Sequence, residues 1–331
     1  MEYRTLGQTD IKVSAIALGC WAFAGDETWG AQEDDDSIAT VHAALDMGIN
    51  FFDTAEAYGA GRSEEVLGRA LQGRREEAII ATKASPNHLD DKELVRACER
   101  SLEYLGTDYI DLYQIHWPSR TTPLDETLAA MEKLRDAGKI RAIGVCNFGP
   151  GDMASLRRVG RAETNQLPYS LLWRVIEHEI QPLCVEQGMG ILCYSPMAQG
   201  LLTGKFSSLD EVPDGRARTR HYSSRRVGAR HGEPGCEMET LAAMRRIAAI
   251  CEDLGQPMAS VSLAWVLRQA GVASVLAGAR RPEQIRANAG AIDLDLDEDT
   301  MWALTETTEP LKECLGTNPD PYQGSGNSRY R

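Results

Sequence analysis

Short apolar runs recur along the chain, and longer segments whose apolar positions fall three and four apart separate the first five of them. The runs read as strands at 16–19, 51–53, 78–83, 109–116, 140–145, 163–166, 191–194 and 274–276. Helical periodicity falls at 35–47, 63–71, 91–104 and 124–137, between the early runs, and a last helix opens after Gly278 and continues to Asn288. Strands alternating with helices predict a parallel sheet, and eight such units close into a (β/α)8 TIM barrel. Ahead of the first barrel strand, Arg4-Thr5-Leu6, a Gly7-to-Asp10 turn and Ile11-Lys12-Val13 predict an N-terminal β-hairpin. One barrel domain over 1–331 is the expectation, with long loops on its C-terminal face, a long basic loop at 203–235 and a tail at 308–331.

The runs at 51–53, 78–83 and 109–116 end in Asp53, Lys83 and His116, and Tyr58 follows the first of them between small residues. Taken singly, Asp53 reads as a helix N-cap, Lys83 as a solvated strand end, and His116 as a histidine satisfied within Trp117-Pro118 packing. Their joint placement on successive strand ends argues for a shared site, because sites in parallel barrels gather at the C-terminal ends of the strands. Asn147, Gln166 and Ser195 also follow strand runs and join the same mouth. A free phenol has a pKa of about 10 and donates a proton poorly at neutral pH unless its anion is stabilised. A nearby ammonium does so, and a carboxylate keeps that ammonium charged and oriented. A histidine beside them holds a substrate oxygen or helps move its proton. This set suits protonating a carbonyl oxygen while hydride reaches the carbon. No side chain carries hydride, so a nicotinamide cofactor is implied.

Asp53, Tyr58, Lys83 and His116 resemble the catalytic tetrad of the aldo-keto reductase superfamily. The phrases Gly48-Ile49-Asn50-Phe51-Phe52-Asp53-Thr54-Ala55, Gly61-Arg62-Ser63-Glu64-Glu65-Val66-Leu67-Gly68 and Gly138-Lys139-Ile140-Arg141-Ala142-Ile143-Gly144-Val145 extend the likeness over about residues 4–299. His116-Trp117-Pro118 and Gly278-Ala279-Arg280-Arg281-Pro282 are most similar to the bacterial general-stress and inositol-operon-like branch. The resemblance implies a hairpin closing the bottom of the barrel and NADPH-dependent reduction of aldehydes or ketones to alcohols. In it Tyr58 is the proton donor, Lys83 lowers its pKa, Asp53 supports Lys83, and His116 orients the carbonyl.

The same resemblance places the cofactor, NADPH or NADP+. Trp21 lies where cofactor and substrate meet, Asp53 borders the nicotinamide, and Asn147 and Gln166 hold its carboxamide. Tyr194 stacks on its ring. Ser195, Pro196, Met197, Gln199, Gly200 and Leu201 form the loop that grips the diphosphate, with Lys205 after it; backbone amides and a lysine suit that group. Gly278, Arg280, Gln284 and Asn288 take the adenosine 2'-phosphate and adenine, and an arginine fork there argues for NADPH over NADH. Ala287 stands where many relatives have glutamate. The substrate pocket would comprise Trp21, Tyr58, His116 and Trp117. Some barrels of the same superfamily, the potassium-channel beta subunits, act as NADPH-binding regulatory subunits, and a redox-sensing or regulatory role with slow turnover is the alternative.

Composition narrows the partners. Thirty-five basic against 49 acidic residues leave a net charge of −14, which argues against nucleic-acid and anionic-membrane surfaces. A small-molecule carbonyl or alcohol is the expected partner, for a monomer or weak homo-oligomer. The N-terminus opens no signal-peptide pattern, and the cytoplasm is the default compartment. A Gly-x-Gly-x-x-Gly is missing after the first strand, which disfavours a Rossmann domain. The eight cysteines contain no Cys-x-x-Cys and read mostly as buried thiols, in a core large enough to need no disulfide. No metal site is expected; a metal-dependent barrel hydrolase would want several strand-end histidines, and only His116 and Asp53 qualify.

Two segments stand apart. The basic loop carries Arg216, Arg218, Arg220, Arg225, Arg226 and Arg230, with His221 and His231. It reads as a lid over cofactor phosphates, a site for an anionic substrate or subunit, or plain surface. The tail, rich in Gly, Pro, Asn and Ser, forms no core of its own and reads as a disordered end, with Tyr322 the one residue positioned to reach the site.

Overall fold

Eight parallel strands close on themselves in the computed structural model, which describes residues 1–331. Strands β1 (Tyr3–Thr5) and β2 (Lys12–Ser14) form the antiparallel hairpin. The barrel is built from β3 (Ile16–Gly19), β4 (Phe51–Asp53), β5 (Ile79–Ala84), β6 (Ile110–Ile115), β7 (Ile140–Cys146), β8 (Thr164–Pro168), β9 (Gly190–Tyr194) and β10 (Val272–Gly278), which pairs back onto β3. Around it stand α1 (Asp34–Asp46), α2 (Arg62–Ala70), α3 (Asp91–Leu105), α4 (Leu124–Asp136), α5 (Pro150–Val159), α6 (Ile180–Glu186), α7 (Glu237–Asp253), α8 (Met258–Leu267), α9 (Pro282–Ala289) and α10 (Glu298–Leu315). None of the helices is long and apolar enough to cross a membrane.

The alternation of a strand's side chains decides what the mouth receives. Ala17, Phe51, Ala81, Leu112, Ala142, Leu192 and Leu276 form one buried apolar cluster with Leu6, Ile11 and Val13, so the hairpin plugs the floor of the barrel. Two residues further along β4, β5, β6 and β8, the same inward face carries Asp53, Lys83, Gln114 and Gln166, all buried. The other strand face packs against the helices in a separate core of 78 buried residues. Apolar burial is thus concentrated below and outside, and a polar layer is held at the top.

Two expectations are corrected here. The tail is not a disordered end: α10 runs to Leu315, and residues 316–331 fold back over the barrel mouth. Buried Asp320 ties the tail to itself by accepting from Arg329 Nε and Nη2, each at 2.7 Å, and Tyr330 Oη donates to Asn147 Oδ1 at 2.7 Å. Arg331 donates from Nε to Asp152 at 2.7 Å. Two of the eight cysteines are also joined rather than free: Cys236, at the head of α7, is disulfide-bonded to Cys314, in the last turn of α10.

Candidate active site

Lys83 lies at the centre of the polar layer, wholly buried. Its Nζ donates to Asp53 Oδ1 at 2.7 Å, to the Thr54 carbonyl at 2.7 Å and to Tyr58 Oη at 3.3 Å. All three ammonium protons therefore have oxygen partners, as a charge taken from water requires. The other Asp53 oxygen accepts from Gln166 Nε2 at 2.7 Å and from Gln114 Nε2 at 3.3 Å. Gln114 had no place in the sequence reading, although it stands two residues after inward-facing Leu112. A Cβ on neighbouring Gly144 would lie 2.9 Å from Gln114 Cγ and 2.6 Å from Thr164 Oγ1, so the layer depends on glycine there.

Tyr58 sits above this layer, in the turn between β4 and α2. Its ring stacks on Trp21 with centroids 5.7 Å apart and 19° between planes, and His116 meets it edge-on at 5.8 Å. Thus the four residues named from the strand ends converge: Asp53 and Lys83 below, Tyr58 and His116 facing the cleft. Burial pushes the Tyr58 phenol up to about 12, and the Lys83 charge only partly offsets that. Lys83 itself is held above its ordinary value: burial works against its charge, but the Asp53 carboxylate prevails. Burial, then the charges of Lys83 and Arg329, press the His116 imidazole down to about 3. Near neutrality the site therefore holds a protonated phenol, a charged ammonium and a neutral imidazole.

A cleft of about 920 Å³ opens from Tyr58 and His116. Trp21, Trp117, Asn147, Gln166, Tyr194, Ser195, Pro196, Met197, Gln199, Gly200, Lys205, Gly278, Arg280, Gln284 and Asn288 line it. Leu201 does not; its side chain is buried in the core. Arg280 lines the cleft but is not a free fork. Its guanidinium donates to Gln32 Oε1 at 2.7 Å, the Trp29 carbonyl at 2.9 Å and the Ala31 carbonyl, pinning the loop after β3. Asn147 and Ser195 have φ of 61° and 52°, left-handed backbone rarely occupied by side-chain-bearing residues. Asn147 donates to the His116 carbonyl at 3.1 Å and accepts from Tyr194 Oη at 3.0 Å and Tyr330 Oη at 2.7 Å.

The basic loop and the tail also line the cleft, and of their charged residues only Arg329 escaped the sequence reading. Arg216, Arg218 and Arg230 of the basic loop face the cleft, and the Nε atoms of Arg216 and Arg218 are buried without a hydrogen-bond partner. Arg220 instead clamps loop to tail, donating to the Asn318 carbonyl at 2.7 Å and the Leu315 carbonyl at 2.5 Å. The tail adds Tyr322, whose Oη accepts from Gln199 Nε2 at 2.7 Å, and Arg329, stacked on Trp117. An arginine-rich stretch in an acidic chain was the signal for the loop, and Tyr322 the one tail residue the sequence pointed to; Arg329 carried no signal.

A model of the Aldo/keto reductase family matches residues 15–309. Aldo-keto reductase YhdN of Bacillus subtilis is 37% identical over 338 residues, covering 97% of this chain and 96% of that protein. The NADH-specific methylglyoxal reductase of Escherichia coli is 33% identical over 335 residues, covering 94% and 100%. The glycerol dehydrogenase structure from Gluconobacter oxydans matches with a TM-score of 0.80 at 33% identity, covering 96% of this chain and 97% of that one. A Klebsiella pneumoniae aldo-keto reductase in complex with NADPH matches with a TM-score of 0.73 at 31% identity, covering 92% and 95%. By family model and by relatives matched over nearly their whole length, the chain belongs to the aldo/keto reductase family.

Proposed function

We propose that this oxidoreductase reduces aldehydes or ketones to alcohols, with Tyr58 giving its proton to the carbonyl oxygen. The contact of Lys83 Nζ with Tyr58 Oη at 3.3 Å carries the reading: it sets a permanent positive charge under the oxygen that must become phenolate. Asp53 holds Lys83 in place, and Gln166 and Gln114 hold Asp53. His116, neutral and edge-on to Tyr58, directs the carbonyl oxygen by hydrogen bond. Trp21 and Trp117 give the cleft aromatic walls near them.

NADPH, bound along the cleft, supplies the hydride. The donor set fits such a dinucleotide. Asn147 and Gln166 offer amides beside Tyr194 at one end. A Cβ on Gly200 would come within 3.3 Å of Lys205 Nζ and 3.5 Å of Arg216 Nη1, so the glycine leaves a cradle between two cations. Burial and the neighbouring Arg216 charge hold the Lys205 ammonium below its ordinary value, a repulsion that a diphosphate would relieve. Near Gln284 and Asn288, Arg280 would exchange neutral carbonyl partners for a 2'-phosphate, whose charge-assisted bonds are about twice as strong. A relative of known structure was crystallised with NADPH and another is named NADH-specific, so cofactor choice rests on Arg280.

The test is oxidation of NADPH and NADH over a panel of aldehydes and ketones, with Tyr58→Phe alongside. Turnover by the wild type, and a loss of about 10²- to 10⁴-fold in a variant that still binds cofactor, is expected. Undiminished turnover by Tyr58→Phe overturns the assignment, and cofactor binding with no turnover on the panel favours the regulatory alternative.

A further inference from the structure

We infer that the cleft selects carbonyl substrates bearing a carboxylate, and that Arg329 is the residue that selects them. The inference rests on the carbonyl-reductase reading above and names its substrate class. Arg329 arrives on the tail, and its guanidinium carbon lies 3.5 Å above the ring centre of Trp117, next in sequence to His116. Asp320 fixes its plane: Oδ2 accepts from Nε and Oδ1 from Nη2, each at 2.7 Å. That carboxylate is itself fully buried, and its oxygens also accept the backbone amides of Tyr322 at 3.0 Å and Arg329 at 3.1 Å. A tail residue that served only to hold the tail would spend its donors on protein. Arg329 spends one edge, and Nη1 donates to no protein group.

The remaining Nη1–Nη2 edge belongs to a side chain that is 37% exposed and lines the same cleft as Tyr58, His116 and Trp21. Two cations act on His116, namely Lys83 and Arg329. Lys83 is sealed beneath Tyr58 with every proton engaged, so Arg329 is the cation on the substrate side. The two parallel N–H groups of a guanidinium edge match a planar carboxylate, and a locked plane loses less freedom on binding than a mobile one. Lys205 and Arg216 sit together beside Gly200, in the diphosphate cradle, and of the other arginines lining the cleft Arg329 is the one stacked on Trp117, next to His116.

The experiment compares 4-formylbenzoate with its methyl ester, and glyceraldehyde 3-phosphate with glyceraldehyde, on wild type, Arg329→Met and Arg329→Lys. Methionine keeps an unbranched chain over Trp117 without the charge. Wild type should favour acid over ester by at least about 10-fold in kcat/KM, carried by KM, as expected for one desolvated charge-assisted pair. Arg329→Met should lower that ratio about 10- to 100-fold, and Arg329→Lys should restore part of it. Should the variants not fold, benzoate must inhibit wild-type ester reduction more tightly than benzamide. Ester reduction with an unchanged acid-to-ester ratio in Arg329→Met, or with no wild-type preference and no selective benzoate inhibition, overturns the carboxylate assignment alone. A larger gain for the phosphate pair than for the acid pair overturns carboxylate in favour of phosphate. Reduction of none of the four aldehydes sinks the carbonyl-reductase reading, and this inference with it.

Discussion

Gln166 reaches across the barrel mouth to Asp53, with Nε2 2.7 Å from Oδ2, so the carboxylate that pairs with Lys83 through Oδ1 is held from its other oxygen by a residue four strands away. Asp53 is consequently the point where β4, β5, β6 and β8 are tied together, and Lys83 depends on it for its charge.

Removing that carboxylate should be costly on two counts. Asp53→Asn leaves a wholly buried ammonium without its counter-ion, and breaking a buried pair by deleting one partner typically costs about 3–5 kcal/mol. Urea titration should show the midpoint falling accordingly, and carbonyl reduction should fall with it because Lys83 is then driven toward its neutral form. Lys83→Met leaves the buried Asp53 carboxylate unpaired in turn, so it should be destabilised comparably and be no more active. Equal stability of Asp53→Asn and wild type would mean that the pair is not closed in solution.

The rate of carbonyl reduction should be flat with pH from mildly acidic to mildly alkaline. Burial raises Tyr58 to about 12, so the proton donor stays loaded, and burial with two nearby cations lowers His116 to about 3, so the imidazole stays neutral. Alcohol oxidation needs the phenolate instead, and should rise with pH through the alkaline range. A limb near pH 6.5 in kcat for reduction, abolished by His116→Gln, would show that the histidine titrates as an ordinary exposed one does.

Glu64 should make the fold less stable as pH rises through the weakly acidic range. It is wholly buried, its Oε1 accepts from Thr82 Oγ1 at 2.5 Å, and its Oε2 has no partner. Burial raises it from 4.5 to about 7, so between those values the folded chain keeps a proton that the unfolded chain has lost. Stability is then greatest below the lower value, declines across the window and levels off above about 7, by an amount of order 3 kcal/mol. Glu64→Gln should flatten the slope between pH 5 and pH 8 in urea titrations; an unchanged slope would place its origin elsewhere.

What was legible in the chain follows from what carries hydrophobic patterning. Phe51 and Asp53, like Ala81 and Lys83, lie two apart on strands, so the alternation that buries the apolar partner also delivers the polar one to the mouth. Tyr58 lies off that alternation and was legible through the chemistry of the set, because its place is set by stacking on Trp21 across a turn. The tail was misread because polar contacts hold it: Asp320 with Arg329 and Asp152 with Arg331 leave no periodic apolar trace. Arg280 was visible as a guanidinium, but not the returning carbonyls of Trp29 and Ala31 that occupy it. Cys236 and Cys314 stand 78 residues apart, a spacing that no short motif describes.

That disulfide should govern the two segments that frame the cleft. Cys236 ends the basic loop bearing Arg216, Arg218 and Arg230, and Cys314 lies just before the tail bearing Tyr322 and Arg329, so one covalent link joins the roots of both. Cys314 is exposed, which opens the bond to thiol reductants. Closing a loop of 78 residues restricts the unfolded chain by about 4.5 kcal/mol in the chain-entropy account. Dithiothreitol should therefore lower the urea midpoint of the wild type, Cys314→Ser should sit at the reduced value, and the variant should ignore dithiothreitol. Since Arg220 still clamps loop to tail through the Leu315 and Asn318 carbonyls, reduction should raise KM more than it lowers kcat. A wild type whose stability and KM are both indifferent to reductant would show that Arg220 and its partners suffice to hold the frame.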